Sequence, residues 1–316
     1  MAIKSYKGFD KNLRCRGFQY KIGGIYEMDG KIKMCNRGFH ACESPFDVFD
    51  YYTMIDSRFC EVEQDGNISK WDRGTKICSS KIKIKAELKL ADMINLGVEW
   101  LKEITSPEKI KTSIKDNSSG NNAQIGSSGD GAKIGSSGDG AKIGSSGNNA
   151  KIGSSGYGAK IGSSGYGAQI GSSGYDAQIG SSGNNAQIGS SGYGAQIGSS
   201  GYGAKIGSSG YDAQIGSSGD GAQIGSSGYG AKISSSGYGA KIDSTGEDCV
   251  IMCAGINSVA KASKGSWVTL SEWSYSEEKQ RYIPICVKTE FVDGEKIKAD
   301  TYYSLKGGVF VEWIND

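Results

Sequence analysis

The chain has 316 residues, a formal net charge of +2, 50 glycines and 3 prolines. That length allows two or three structural units, and the near-balanced charge excludes the strong field of a polyanion binder or a polyanion mimic. No run approaches the roughly 18 consecutive apolar residues of a membrane span, and the polar first residues lack the core of a signal peptide, so a cytoplasmic protein is expected.

Residues 1–116 read as a small α+β head. Gly23-Gly24, Asp29-Gly30 and Asp65-Gly66 are turn signals between short β-like runs. Ser44-Pro45 before Phe46, Val48 and Phe49 predicts a capped short helix with proline at its first position. Phe59-Cys60-Glu61-Val62-Glu63 predicts a strand, and the clean alternation from Lys81 to Leu88 predicts a half-buried one. Residues 91–105 predict a helix with Met93, Leu96, Trp100, Leu101 and Ile104 on one face. The charged segment 106–116 reads as a link to the next region.

Residues 117–257 are dominated by a nine-residue unit, Ala-(Gln/Lys)-Ile-Gly-Ser-Ser-Gly-x-x. Isoleucine recurs every nine residues from Ile125 to Ile242. One unit buries almost nothing and cannot fold alone. Copies stacked in register form continuous apolar columns and pair strand backbone with their neighbours, which is a β-solenoid. Three residues of each unit suit a strand and six suit a turn. Ala and Ile face inward, Gln or Lys outward, and the glycines supply positive φ at the corners. Nine residues are too few to close a coil, so two units per 18-residue coil are expected, about seven coils in all. The nonapeptide β-roll is the closest known layout. Its calcium ligands are not carried over, because Gly or Asn is usual where Asp176 and Asp212 stand and the apolar residue is displaced by one.

Two units per coil sort the residue after the second Gly of each unit into two sets. One contains Tyr157, Tyr175, Tyr193, Tyr211 and Tyr229 in unbroken succession; the other is mixed. These five tyrosines are the candidate binding residues, since a row of amphipathic rings suits macromolecular recognition. The competing reading is that stacked rings only stabilise the ladder. The Asn-Asn and Tyr-Asp variants recur 36 residues apart, which fits whole coils and also fits recent duplication. The outward Lys and Gln positions keep the surface soluble; interspersed Gln and Asp weigh against nucleic acid. Residues 258–316 read as a β-rich cap, with strands near 281–290 and 308–313.

The eight cysteines, Cys15, Cys35, Cys42, Cys60, Cys78, Cys249, Cys253 and Cys286, show no dense framework spacing and read as reduced thiols. His40 is the single histidine. Its spacing from Cys35 and Cys42 is not that of a standard zinc knuckle, and no Gly-x-Ser-x-Gly nucleophile elbow is present. No metal, no cofactor and no catalytic residue is expected.

Tyr6-Lys7-Gly8-Phe9, Cys15-Arg16-Gly17-Phe18-Gln19-Tyr20 and Gly38-Phe39-His40-Ala41-Cys42 resemble an uncharacterised domain of bacteriophage and prophage proteins, sometimes followed by Ser-Ser-Gly-rich repeats. The resemblance covers about the first 105 residues and the repeat style. It implies a phage-type protein acting in a bacterial host cytoplasm, and assigns no activity. The order of Tyr6-Lys7-Gly8, Gly38-Phe39-His40 and the strand from Phe59 is also similar to ADP-ribosyltransferase-like domains, but Lys7 replaces the family's arginine and no catalytic glutamate can be assigned.

The expectation is a capped, mainly β solenoid that binds a macromolecule, most simply a protein, with a host defence factor as one candidate and homo-oligomers left open. An ADP-ribosyltransferase-like head on a solenoid scaffold, or a self-assembling structural rod, are the alternatives.

Overall fold

The computed structural model describes residues 2–54, 56–71, 74–105, 117–118 and 120–314. The chain divides into two compact units, Met1–Trp100 and Leu101–Asp316.

The first unit is built on antiparallel strands. They are β1 (Ile3–Phe9), β2 (Arg14–Cys15), β3 (Phe18–Gln19), β4 (Ile25–Glu27), β5 (Phe39–Cys42), β6 (Arg58–Lys70) and β7 (Lys76–Leu88). The sheet order is β4-β7-β5-β1-β6, and β6 also pairs with β7, so four strands close into a ring. Closure leaves β1 and β5 no free edge. Phe9, Tyr20, Phe39, Val62, Ile82 and Ile84 fill the interior. Asp65-Gly66, read as a turn, instead lies inside β6, where the pairing register shifts between Asp65 and Ile68. A bulge uses the same Gly chemistry as a turn, so local sequence does not separate them. The Ser44-Pro45 start leads into a 3-10 turn, Phe46–Asp50, with Pro45 at its cap. Helix α1 (Leu90–Ile104) forms as expected. Its buried stripe is Met93, Ile94, Val98 and Leu101, shifted from the expected Leu96, Trp100 and Ile104, which are only partly covered. Gly97 sits on that stripe because the Phe46 ring lies where its Cβ would be. The segment 106–116 lies outside the described residues.

The second unit is the β-solenoid. A strand recurs every nine residues from β9 (Gln124–Ser127) to the coil strand β24 (Val259–Ala262), and one residue sooner at β25 (Trp267–Ser276). Odd-numbered strands form one parallel sheet and even-numbered strands the other. Up to β24 each pairs with the strand 18 residues on, Ile161 on Ile179 and Ile188 on Ile206, and β25 pairs 17 residues on from its partner. Two units therefore make one coil, and there are about eight coils over residues 124–270, one more than expected. The extra coil comes from Val259–Ala262 and Trp267–Ser276, which keep the inward alternation after the repeat motif has decayed.

Each unit contributes a four-residue strand rather than three. The first Ser of Ser-Ser-Gly ends the strand and points inward with Ala and Ile. Ala141, Ile152, Ser154 and their equivalents are buried in every coil after the first. Burying each isoleucine contributes about 1.5–3 kcal/mol. The corners are laddered too: Gly158 N–H donates to Tyr175 C=O at 2.8 Å and Lys160 N–H to Ala141 C=O at 2.8 Å. This leaves little backbone polarity unpaired.

At the C-terminal end both sheets finish in antiparallel strands. β26 (Arg281–Phe291) pairs with β25. β27 (Tyr303–Lys306) pairs with β24 and with β28 (Val309–Glu312). Among the described residues no helix is long and apolar enough to cross a membrane.

Candidate binding surface on the solenoid

The two corners of a coil differ. The corner leading from an even to an odd strand carries Tyr157, Tyr175, Tyr193, Tyr211 and Tyr229, one in each of five successive coils. Their exposures are 47–61%. The opposite corner carries Tyr166, Tyr202 and Tyr238, equally exposed, alternating with Asn184 and Asp220. The five candidate tyrosines thus share one edge at the inter-strand spacing of about 4.8 Å.

They do not form a continuous stack. Only Tyr175 and Tyr193 lie in ring contact among the described pairs of this row, 6.3 Å between centroids and tilted by 50°. Three of the five are held by hydrogen bonds to the next coil. The phenols of Tyr157, Tyr193 and Tyr229 donate to the carboxylates of Asp176, Asp212 and Asp248, and these acceptors raise the phenol pKa values. At the other corner Asn185 and Asn257 donate to Tyr166 and Tyr238 at 2.8 Å. Where the corner begins with Asp or Asn, that side chain accepts the backbone N–H one coil later, as Asp139 does from Tyr157 at 2.9 Å.

The residue after each corner tyrosine has positive φ in every unit, and is always Gly, Asn or Asp. These residues enter the left-handed region at least cost. Asp176 and Asp212, which stand at the β-roll's calcium position, serve this role, and each also accepts a phenol proton. Where Asn or Asp stands there, its Oδ1 occupies the space over the same position in the next coil. A Cβ on Gly194 would lie 2.2 Å from Asp176 Oδ1, and one on Gly203 2.5 Å from Asn185 Oδ1. Asn or Asp therefore never occurs in two successive coils at one corner. The 36-residue recurrence seen in the sequence has this steric cause available, whatever its origin.

The Gly of Ser-Ser-Gly has a different task. Its φ is not positive, but a Cβ on Gly174 or Gly192 would sit about 2 Å from the carbonyl oxygen of the corresponding glycine one coil earlier. The glycine between Ile and Ser has no such neighbour in the odd sheet: at Gly144, Gly162, Gly180 and Gly198 the added Cβ meets nothing. Gly144, Gly162 and Gly180 help line an open groove of about 840 Å³ along the outward Gln/Lys row.

The outward face of the odd sheet changes character in its last coils. Val250 and Met252 take the places of Lys and Gly, and Trp267 follows in register. Trp267 pairs with Phe291, rings 5.1 Å apart, and Ser271 with Val287. Val250, Met252, Trp267, Val287 and Phe291 are all exposed. The repeat register signals this apolar patch, since two outward positions turn hydrophobic together, but the reading of the sequence did not take it up. On the even sheet, Tyr302 and Trp313 close over Lys241, 4.4 and 4.3 Å from the ring centroids, beside a buried Asp243–Lys261 pair at 2.9 Å. Burial holds the Asp243 carboxyl above its usual range despite Lys261.

In the first unit, Tyr6 and Lys7, aligned with the transferase-like order, are buried in β1. His40 Nε2 accepts from the Cys35 N–H at 2.9 Å, and burial pushes its pKa down to about 4, so the ring is neutral. All eight cysteines are free. Burial pushes Cys42, Cys60 and Cys253 up to about 12. No group of three or more His, Cys, Asp or Glu among the described residues is placed to hold a metal.

Residues 3–96 match the family described as Domain of unknown function (DUF7666). No curated protein and no solved structure matches the chain.

Proposed function

We propose that the protein acts by binding, without catalysis, and presents the tyrosine edge of its solenoid to a macromolecular partner. The observation that carries this reading is the row of five half-exposed tyrosines on one edge of a laddered scaffold. Tyr offers a large amphipathic contact with little side-chain entropy to lose, and the laddered backbone beneath it is already ordered, which lowers the cost of association. A purely structural tyrosine gains nothing from standing so far into water, since the corner backbone is satisfied where Asp or Asn replaces it.

The partner class that fits best is a protein. Phenol tips and Asp, Asn and Gln neighbours favour a polar, hydrogen-bonding surface over a phosphate backbone. The resemblance of the first hundred residues to phage and prophage proteins supports a bacterial host cytoplasm as the setting and a host factor, such as a defence protein, as the target.

Affinity capture from bacterial lysate tests the reading. The wild type is compared with a variant carrying Ser in place of Tyr157, Tyr175, Tyr193, Tyr211 and Tyr229. Specific capture by the wild type and loss in the variant, with circular dichroism unchanged, supports it. Identical capture by both removes the tyrosine edge as the binding surface.

A further inference from the structure

The motifs of the first unit bring three reactive side chains together. Lys7 is 5% exposed, and its Nζ donates to the His40 carbonyl oxygen at 2.9 Å. The same nitrogen lies 3.5 Å from Cys15 Sγ. The rings of Phe9 and Tyr20 flank it at 5.3 and 5.9 Å, and among the described residues no carboxylate pairs with it. An ammonium buried without a counter-ion is costly, so burial lowers the Lys7 pKa and favours the free amine.

Cys15 is only partly buried. It ends β2 just before Arg16 and Gly17, both with positive φ, and this tight reversal directs its thiol toward the core. On its other side stands Tyr52, whose hydroxyl is 3.0 Å from the sulfur. Burial keeps that phenol protonated, so it can donate to sulfur. Tyr52 reaches this place only because residue 8 is glycine: a Cβ there would lie 2.4 Å from the Tyr52 ring. The Tyr-Lys-Gly-Phe and Cys-Arg-Gly motifs therefore build one constellation, an amine nucleophile, a partly buried sulfur and a proton donor.

We propose that Lys7 and Cys15 form a peroxide-responsive covalent site that closes reversibly to a nitrogen–sulfur bond. In the first step the Cys15 sulfur attacks hydrogen peroxide. The S–O bond forms, the O–O bond breaks, sulfur gives up two electrons, and the departing hydroxide takes the thiol proton and leaves as water. Cys15 is then a sulfenic acid. In the second step the Lys7 lone pair attacks sulfur and the S–O bond breaks. Hydroxide leaves and takes one amine proton as a second water. The sum is thiol plus amine plus peroxide giving sulfenamide plus two waters, a loss of two hydrogens. Added thiol reverses it by attacking sulfur and releasing the amine.

The test uses the full chain treated with hydrogen peroxide, then alkylated, digested and analysed by mass spectrometry. The expected result is a loss of about 2 Da, a peptide joining Lys7 to Cys15, no tryptic cleavage after Lys7, and recovery with dithiothreitol. The product should survive in Cys42→Ser, which separates it from a disulfide of equal mass change. In Lys7→Met, dimedone should trap Cys15 as sulfenic acid. The wild-type peptide map decides the matter even if that variant fails to fold. A Cys15 disulfide in the wild type, or Cys15 sulfenic acid that stays open to dimedone, overturns the proposal.

Discussion

Asn185 Nδ2 donates to the phenolic oxygen of Tyr166 at 2.8 Å, across one coil boundary, from a backbone with φ of 56°. The one residue thus does two jobs: it holds the left-handed corner and it ties down the ring of the coil before it. Substitution separates them. Asn185→Gly keeps the backbone and loses the tie, so it should cost only a few tenths of a kcal/mol up to about 0.5. Asn185→Ala keeps a Cβ in the left-handed region but loses the short polar side chain that eases that conformation, so it should cost about 1–2 kcal/mol. Urea melts of the two variants give the comparison; equal midpoints would show that the corner conformation is not what selects this residue.

The two glycines of the repeat should respond in opposite ways. Gly192→Ala drives a Cβ into the Gly174 carbonyl oxygen and forces the coils apart, so a loss of about 3 kcal/mol or more is expected. Gly198→Ala places its methyl in open space on a strand, where Ala loses less backbone entropy than Gly, so stability should hold or rise by up to about 0.5–1 kcal/mol. Thermal denaturation followed at a β-sheet wavelength reads both.

The inner serines are a row of buried hydroxyls. Ser154, Ser172, Ser190, Ser208 and Ser226 are fully covered, and their Oγ atoms have no protein hydrogen-bond partner. Successive copies stand one strand spacing apart, about 4.8 Å, too far for one hydroxyl to bond the next. Ser208→Ala should therefore be neutral or stabilising by up to about 1 kcal/mol. The protein itself places Cys253 and Ala262 at this position in the final coils. A loss above about 1 kcal/mol in Ser208→Ala would mean the hydroxyl is satisfied after all.

His40 makes the stability of the first unit depend on pH. Its folded pKa of about 4 lies below the ordinary 6.5, so between those values the unfolded chain binds the extra proton and the native state does not. Stability is fully present above about pH 6.5 and falls as pH drops toward 4. Allowing for partial exposure, the loss is on the order of 2 kcal/mol. His40→Gln should remove this dependence, so the wild-type minus variant stability difference should fall by about that amount as pH drops across the window. A difference that is constant with pH would mean the ring does not titrate as its burial implies.

The repeat region was legible because its signal is periodic and redundant. Fourteen isoleucines in one register leave a stacked ladder as the way to bury them, and the sorting of tyrosines into one set of five anticipated which of them share an edge. The inward serine, the four-residue strand and the extra coil were not legible. Ser is a turn residue by local chemistry, and only the alternation imposed by the parallel ladder turns it into the core. The division of labour between glycines was hidden for a like reason. Gly174 and Gly167 look equivalent in the chain, yet one is required by a carbonyl a coil away and the other by its own positive φ.

Sequence alone determined that residues nine apart are equivalent and residues eighteen apart touch, because an identical short unit can bury its apolar side only against copies of itself. Tertiary structure alone decided that Lys7 and Tyr52 both meet Cys15, and that Tyr157, Tyr193 and Tyr229 are tied to Asp side chains of the next coil. Those contacts span 8 to 37 positions and depend on how strands close and coils stack, which no local pattern of residues carries.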